Sequence, residues 1–169
     1  GGEHYFFGYY DVPACDGAGR HLGHRVAFRD RLPGADDVAT LGWMRLPDEG
    51  GASRTEPTFE VFGRTRAWNF QQGSLLQWLA SEPDTCVYNV FEEGRFGCCV
   101  QNVVTGKRRV LPRAVGNVSR DGVKALCVNM SRLYDFRPGY GYVQLPDPFA
   151  NVATPPEDGV FVMDVASGN

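Results

Sequence analysis

The chain has 169 residues, 43% of them hydrophobic, which is enough to bury a core of its own. Its formal charge of −3 gives no bulk attraction to nucleic acid, so any polyanion would need a local basic patch. No apolar stretch is long enough to span a bilayer, and the five cysteines are odd in number with no CxxC or Cys/His ligand spacing, which argues against a disulfide framework or a zinc site.

One pattern recurs along the chain: an aromatic or polar lead, a tight Gly turn, then an apolar run. It occurs from Tyr9 through Gly17 to Phe28, from Trp68 through Gly73 to Leu79, and from Asn117 through Gly122 to Met130. A second echo joins Val100 to Gly106 with Val160 to Gly168, both β-rich runs closed by a small-polar-Gly turn. Gly, Pro, Val, Phe, Tyr and Thr in short runs are the composition of many short strands. The reading is all-β: four-stranded antiparallel sheets repeated as β-propeller blades, with about three present and the last unfinished, as expected of an N-terminal fragment.

The first blade is expected over residues 4–64, with Arg25 to Phe28 as its inner strand, Thr40 to Leu46 next and Phe59 to Phe62 outermost. The second covers 65–112: Thr65 to Phe70, then Leu75 to Leu79 or Cys86 to Val90, then Phe96 to Val104 and Lys107 to Leu111. Leu75, Leu76 and Leu79 also have helical spacing, but that run is short for a helix. The third, 113–169, begins near Val115, has a second strand at Lys124 to Asn129 and a third at Val160. Cys98 and Cys99 share a strand, so they face opposite ways.

A long insertion, Ser131 to Asp158, interleaves Arg132 and Arg137 with Tyr134, Phe136, Tyr140 and Tyr142. Connections of this length are binding loops, lids or disorder, and the aromatic content argues against disorder. Propeller topology puts this loop on the same face as His4, Tyr5, Arg64, Arg66 and Trp68. Aromatic faces suit the C–H faces of sugars, and Arg matches a carboxylate or sulfate in two-point contact, which together point to an acidic carbohydrate.

A lyase acting on a uronic acid must neutralise the carboxylate, abstract the adjacent proton and protonate the leaving oxygen. Arg132 or Arg137 are candidates for the first role, His4 or His24 for the second, and Tyr9, Tyr140 or Tyr142 for the third. Arg66, Trp68, Gln71 and Gln72 are further candidates for substrate binding. Each has a structural counterpart: the aromatics as core between sheets, Trp68 as a wedge, Gln71 and Gln72 as turn residues beside Gly73, and Gln77 as a buried amide joining blades or facing a channel. A glycoside hydrolase would want paired carboxylates, and Asp11 with Glu92 or Glu93 is a poor pair.

The runs His4-Tyr5-Phe6-Phe7-Gly8-Tyr9-Tyr10-Asp11, Ala67 to Leu79 and Arg137-Pro138-Gly139-Tyr140-Gly141-Tyr142 resemble the opening blades of bacterial propeller proteins similar to oligogalacturonate and ulvan lyases. The resemblance implies β-elimination on acidic polysaccharides or oligosaccharides. The alternative is a non-catalytic propeller that binds glycan or protein. Oligogalacturonate lyases use a histidine-rich metal site. With three histidines here, His4, His21 and His24, no metal site is assigned, and a divalent cation would belong to further blades. Localisation stays open between cytoplasm and the periplasmic or extracellular space.

Overall fold

The structure, a computed structural model, describes residues 2–46 and 57–169. It is mostly β. Strands β1 (His4–Phe6), β2 (Arg20–Val26), β3 (Ala39–Arg45) and β4 (Glu60–Thr65) pair in chain order as one antiparallel sheet. Strands β5 (Gln77–Trp78), β6 (Thr85–Glu92), β7 (Arg95–Asn102) and β8 (Arg108–Leu111) form a second sheet in the same order. The third is β9 (Val115–Val118), β10 (Lys124–Cys127) and β11 (Phe161–Asp164), with a short helix α1 (Met130–Phe136) between β10 and β11. Among the described residues no helix is long and apolar enough to cross a membrane.

Strand alternation explains how the sheets stack. Cys86, Tyr88, Val90 and Cys99 pack with Leu22 and Leu41 of the first sheet, while Val87, Cys98 and Val100 pack with Val115, Ala125, Cys127 and Met163 of the third. The second sheet is therefore covered on both faces, and the adjacent cysteines do face opposite ways. Burial pushes the Cys86 and Cys98 thiols well up, so both stay protonated and serve as small apolar residues. Glu93 and Gly94, with φ of 51° and 73°, form the tight β6–β7 turn, whose left-handed backbone matches the strand twist.

The second echo in the sequence is a structural repeat. After β7, the Asn102 side chain accepts from the Val104 and Thr105 N–H groups, and Gly106 N–H closes onto the Asn102 carbonyl at 2.9 Å. After β11, Asp164 accepts from Ser167 N–H, and Gly168 N–H closes onto its carbonyl at 2.8 Å. Both turns end on a glycine at φ near 75°, Gly106 at 73° and Gly168 at 79°.

The first pattern is only partly a repeat. Gly17 and Gly122 lie in the connections from the first to the second strand of their sheets, whereas Gly73 lies between two sheets, ahead of β5. Several expected strands shift with it. The first strand of the first sheet is His4–Phe6, and Arg25 belongs to the second strand. Thr65 to Phe70 ends β4 and enters a loop, while both Leu75 to Leu79 and Cys86 to Val90 contribute strands, as β5 and β6. Leu75, Leu76 and Leu79 are all buried, so burial rather than helical periodicity sets their spacing. The helix appears instead in the insertion, where the Asn129 side chain caps it by accepting from Arg132 N–H.

At the end of the sheets away from the insertion, Arg20 ties the first two sheets together. Its guanidinium lies 4.8 Å from the Trp78 ring centroid and 5.8 Å from that of Trp43, and it pairs with Asp16 and Asp84. Trp78 Nε1–H donates to the Arg20 carbonyl at 3.1 Å. Arg20→Leu is expected to lower stability by about 2 kcal/mol, because it strands the largely buried Asp16 carboxylate. Urea unfolding checks this, and a change below about 0.5 kcal/mol would remove Arg20 as a tie.

Candidate functional site

The β4–β5 loop is built around Asn69. Its side-chain oxygen accepts from the Gln71 and Gln72 N–H groups at 3.0 and 2.7 Å, and its backbone exchanges hydrogen bonds with Gly73. Its amide nitrogen reaches the insertion, donating to the Gly141 carbonyl at 3.0 Å. Three residues along each segment, Gln144 Nε2 donates to the Arg66 carbonyl at 2.6 Å. Residues 141–144 therefore run against 69–66 in the opposite sense, and the insertion lies on the β4–β5 loop.

This crossing brings together part of the expected set. Tyr9 and Tyr10 pack with ring centroids 4.6 Å apart and planes tilted by 30°, and Arg137 stands 4.2 Å from the Tyr140 ring centroid. The Tyr9 phenol is held above its usual range, first by its hydrogen-bonding contact with Tyr10, then by the nearby Tyr10, Tyr140 and Asp11 charges. Tyr9 and Tyr140 are half-buried, while Tyr10 and Arg137 are exposed. Tyr10 is 88% exposed, an unusual position for a large ring with no structural load to carry.

Other expected residues have structural placements. His24 is fully buried, stacked on Phe6 at 4.8 Å, and its Nε2 accepts from Ser74 N–H at 3.0 Å with the Ser74 hydroxyl at 2.9 Å. Burial pulls it down to about 4, against a smaller opposing effect of the Phe7 and Phe6 carbonyls. Tyr142 is buried and accepts from Asn89 Nδ2 at 2.9 Å, and burial pushes its phenol up. Neither ring reaches the surface. Trp68 is a buried wedge whose Nε1–H donates to the Asp37 carbonyl at 2.9 Å. Gln77 is buried and donates to the Leu75 carbonyl at 3.2 Å.

Arg132 is engaged within the insertion, paired with Asp147 at 2.8 Å and donating to the carbonyls of Phe149, Val152 and Ala153. Burial alone would raise the Asp147 carboxyl, but hydrogen bonds from Phe149 N–H, Asn129 and Arg132 hold it below the usual range. Arg132 thus orders the loop, leaving Arg137 as the outward-facing guanidinium of the pair. Arg66 is half-exposed, and Gln71 is exposed with Gln72 half-buried beside it. His4 is half-buried at the start of β1, opposite Val26, with no side-chain hydrogen bond among the described residues.

Neither Asn69 nor Gln144 is given a role by the sequence, while Tyr10, expected as strand core with a sugar platform as the alternative, is exposed and not core. An Asn followed four residues later by Gly was the available signal for Asn69, since that spacing lets its side chain close a turn. Gln144 carried none. No group of three or more His, Cys, Asp and Glu among the described residues is placed to hold a metal ion. Comparison with known protein families, curated proteins and solved structures returns no match to this chain.

Proposed function

We propose that this chain forms part of a propeller-like protein that recognises acidic glycans on the surface made by Tyr9, Tyr10, Tyr140 and Arg137. The propeller reading rests on three antiparallel meanders in chain order, with the middle sheet covered on both faces by its neighbours. The glycan reading rests on one observation above the rest: Arg137 lies over Tyr140 beside the packed, mutually tilted rings of Tyr9 and Tyr10. Sugar rings stack on such faces through their C–H bonds, and the guanidinium supplies the partner for a carboxylate or sulfate.

The test is binding of polygalacturonate, with a neutral glucan as control, by calorimetry. Arg137→Ala and Tyr140→Ala are each expected to weaken polygalacturonate binding about tenfold while leaving the unfolding midpoint unchanged. Equal affinity in both variants would remove this surface as the site.

A second reading, β-elimination, is favoured by the Tyr9 phenol, a proton donor for a leaving oxygen, on the same surface as a guanidinium able to neutralise the carboxylate. His4 is then the candidate base. Elimination creates a conjugated product absorbing near ~235 nm, whereas binding alone leaves absorbance flat. A rise that survives both His4→Ala and Tyr9→Phe would exclude those two roles.

A further inference from the structure

A cleft of about 480 Å³ opens where the start of β7, the β8–β9 link and the end of β10 meet the insertion. Its walls are mainly apolar: Phe96 from β7, Val128 after β10, Phe161 from β11, and Leu145, Pro146 and Phe149 from the insertion. That volume and a lining of rings and aliphatic groups suit a small molecule with a hydrophobic body. Such walls offer sugar hydroxyls few partners, so the cleft differs in chemistry from the Tyr9–Tyr140 surface.

The polar groups of the cleft are few and carry both signs. Arg113 stands 3.9 Å from the Phe161 ring centroid, is exposed, and forms no ion pair with the described residues. Asp158 is held in place at both oxygens, Oδ2 accepting from Asn129 Nδ2 and Oδ1 from Gly159 N–H, each at 2.9 Å. Neither donor is a cation, so its charge is not neutralised, nor is that of the neighbouring Glu157 by any described residue. Ser131 is 3% exposed, and its hydroxyl has no hydrogen-bond partner among the described residues. The insertion wall is fixed as well, because the buried Asp147 accepts from the same Asn129 amide at 2.9 Å and from Phe149 N–H at 3.1 Å. The cleft is therefore built before a ligand arrives, which lowers the ordering cost of binding.

Charge complementarity selects the ligand class. A purely anionic ligand would meet Asp158 and Glu157, a purely cationic one would meet Arg113, and an uncharged one would leave all three without partners. A zwitterion with an apolar body answers both signs. We infer that this cleft binds a free aromatic amino acid, with its carboxylate on Arg113, its ammonium on Asp158 and its ring against the phenylalanine-lined wall. Arg supplies the two-point contact a carboxylate takes, and the Ser131 hydroxyl gives either charged group a further hydrogen bond. The site is independent of the glycan reading.

The experiment titrates the protein with phenylalanine, with phenethylamine, which lacks the carboxylate, with 3-phenylpropionate, which lacks the ammonium, and with glycine, which lacks the ring. Affinities are read by NMR chemical-shift changes in wild type, Arg113→Gln and Asp158→Asn, with circular dichroism to verify folding. Wild type should bind phenylalanine about tenfold more tightly than either single-charge analogue, and glycine should not saturate. Arg113→Gln should lose about tenfold on phenylalanine and nothing on phenethylamine, while Asp158→Asn should lose about tenfold on phenylalanine and nothing on 3-phenylpropionate. Wild-type titrations alone decide the matter if a variant fails to fold. No saturable shift with phenylalanine, or equal affinity for phenylalanine and either analogue, overturns the inference. So does an unchanged phenylalanine affinity in a folded Arg113→Gln. Displacement of phenylalanine by polygalacturonate would make the cleft part of a glycan site and overturn the assignment to amino acids.

Discussion

Asn89→Ala is expected to destabilise the protein by about 4 kcal/mol, the largest single effect of any polar residue here. Asn89 lies in β6 with no exposure. Its side chain mimics a strand edge: Nδ2 donates to the Val115 carbonyl at 2.8 Å and Oδ1 accepts from Val115 N–H at 2.8 Å, fastening the second sheet to the first strand of the third. Its backbone binds Ser74 through N–H at 2.7 Å and Thr65 Oγ1 through the carbonyl at 2.7 Å. Truncation removes the side-chain partner of a fully buried backbone N–H and carbonyl, each worth about 1–3 kcal/mol when left unmade, and opens a void beside Tyr142. Tyr142→Phe is the milder companion, expected near 1 kcal/mol, because Asn89 keeps both bonds to Val115. Urea midpoints measure both. A loss under about 1 kcal/mol for Asn89→Ala would mean that water or a shifted backbone satisfies Val115.

Asn89 also shows where sequence reading stops. Within Cys86 to Val90 it looks like an interruption in an apolar strand, and nothing in the local pattern says that its amide faces the backbone of a strand 26 positions away. The same limit applies to His24 and Tyr142: residue type made both candidates for proton transfer, but burial depends on which strand faces which, a non-local fact. What was legible was local. The Asn102 and Asp164 turns repeat because the same side-chain chemistry closes the same geometry within four residues. Strand content followed from composition, whereas the loop against which the insertion lies was not legible, because Thr65 to Phe70 has the composition of a strand. Gly73 misled because a glycine marks a tight turn without saying which turn. Here it is required by contact: at φ 60°, a Cβ would sit 2.4 Å from His24 Cε1. The division between Arg132 and Arg137 was likewise invisible, since only the fold shows that Asp147 claims the first.

His24 predicts an acid-sensitive fold. Its Nε2 accepts from Ser74 N–H, which puts the neutral proton on Nδ1, and charging the ring would require breaking that bond in a site fully closed to water. The folded value lies at about 4, against the ordinary 6.5. Between those values the unfolded chain binds a proton that the folded chain refuses, so stability falls as pH drops through 6.5 and this contribution levels off below 4. The loss over that window is roughly 3 kcal/mol. Urea midpoints from pH 7.5 to 4 should decline for wild type. His24→Gln retains an acceptor for Ser74 N–H and has no proton to gain. It should be less stable than wild type at neutral pH, through lost stacking on Phe6, yet nearly flat across the window. Parallel declines in the two proteins would assign the acid sensitivity elsewhere.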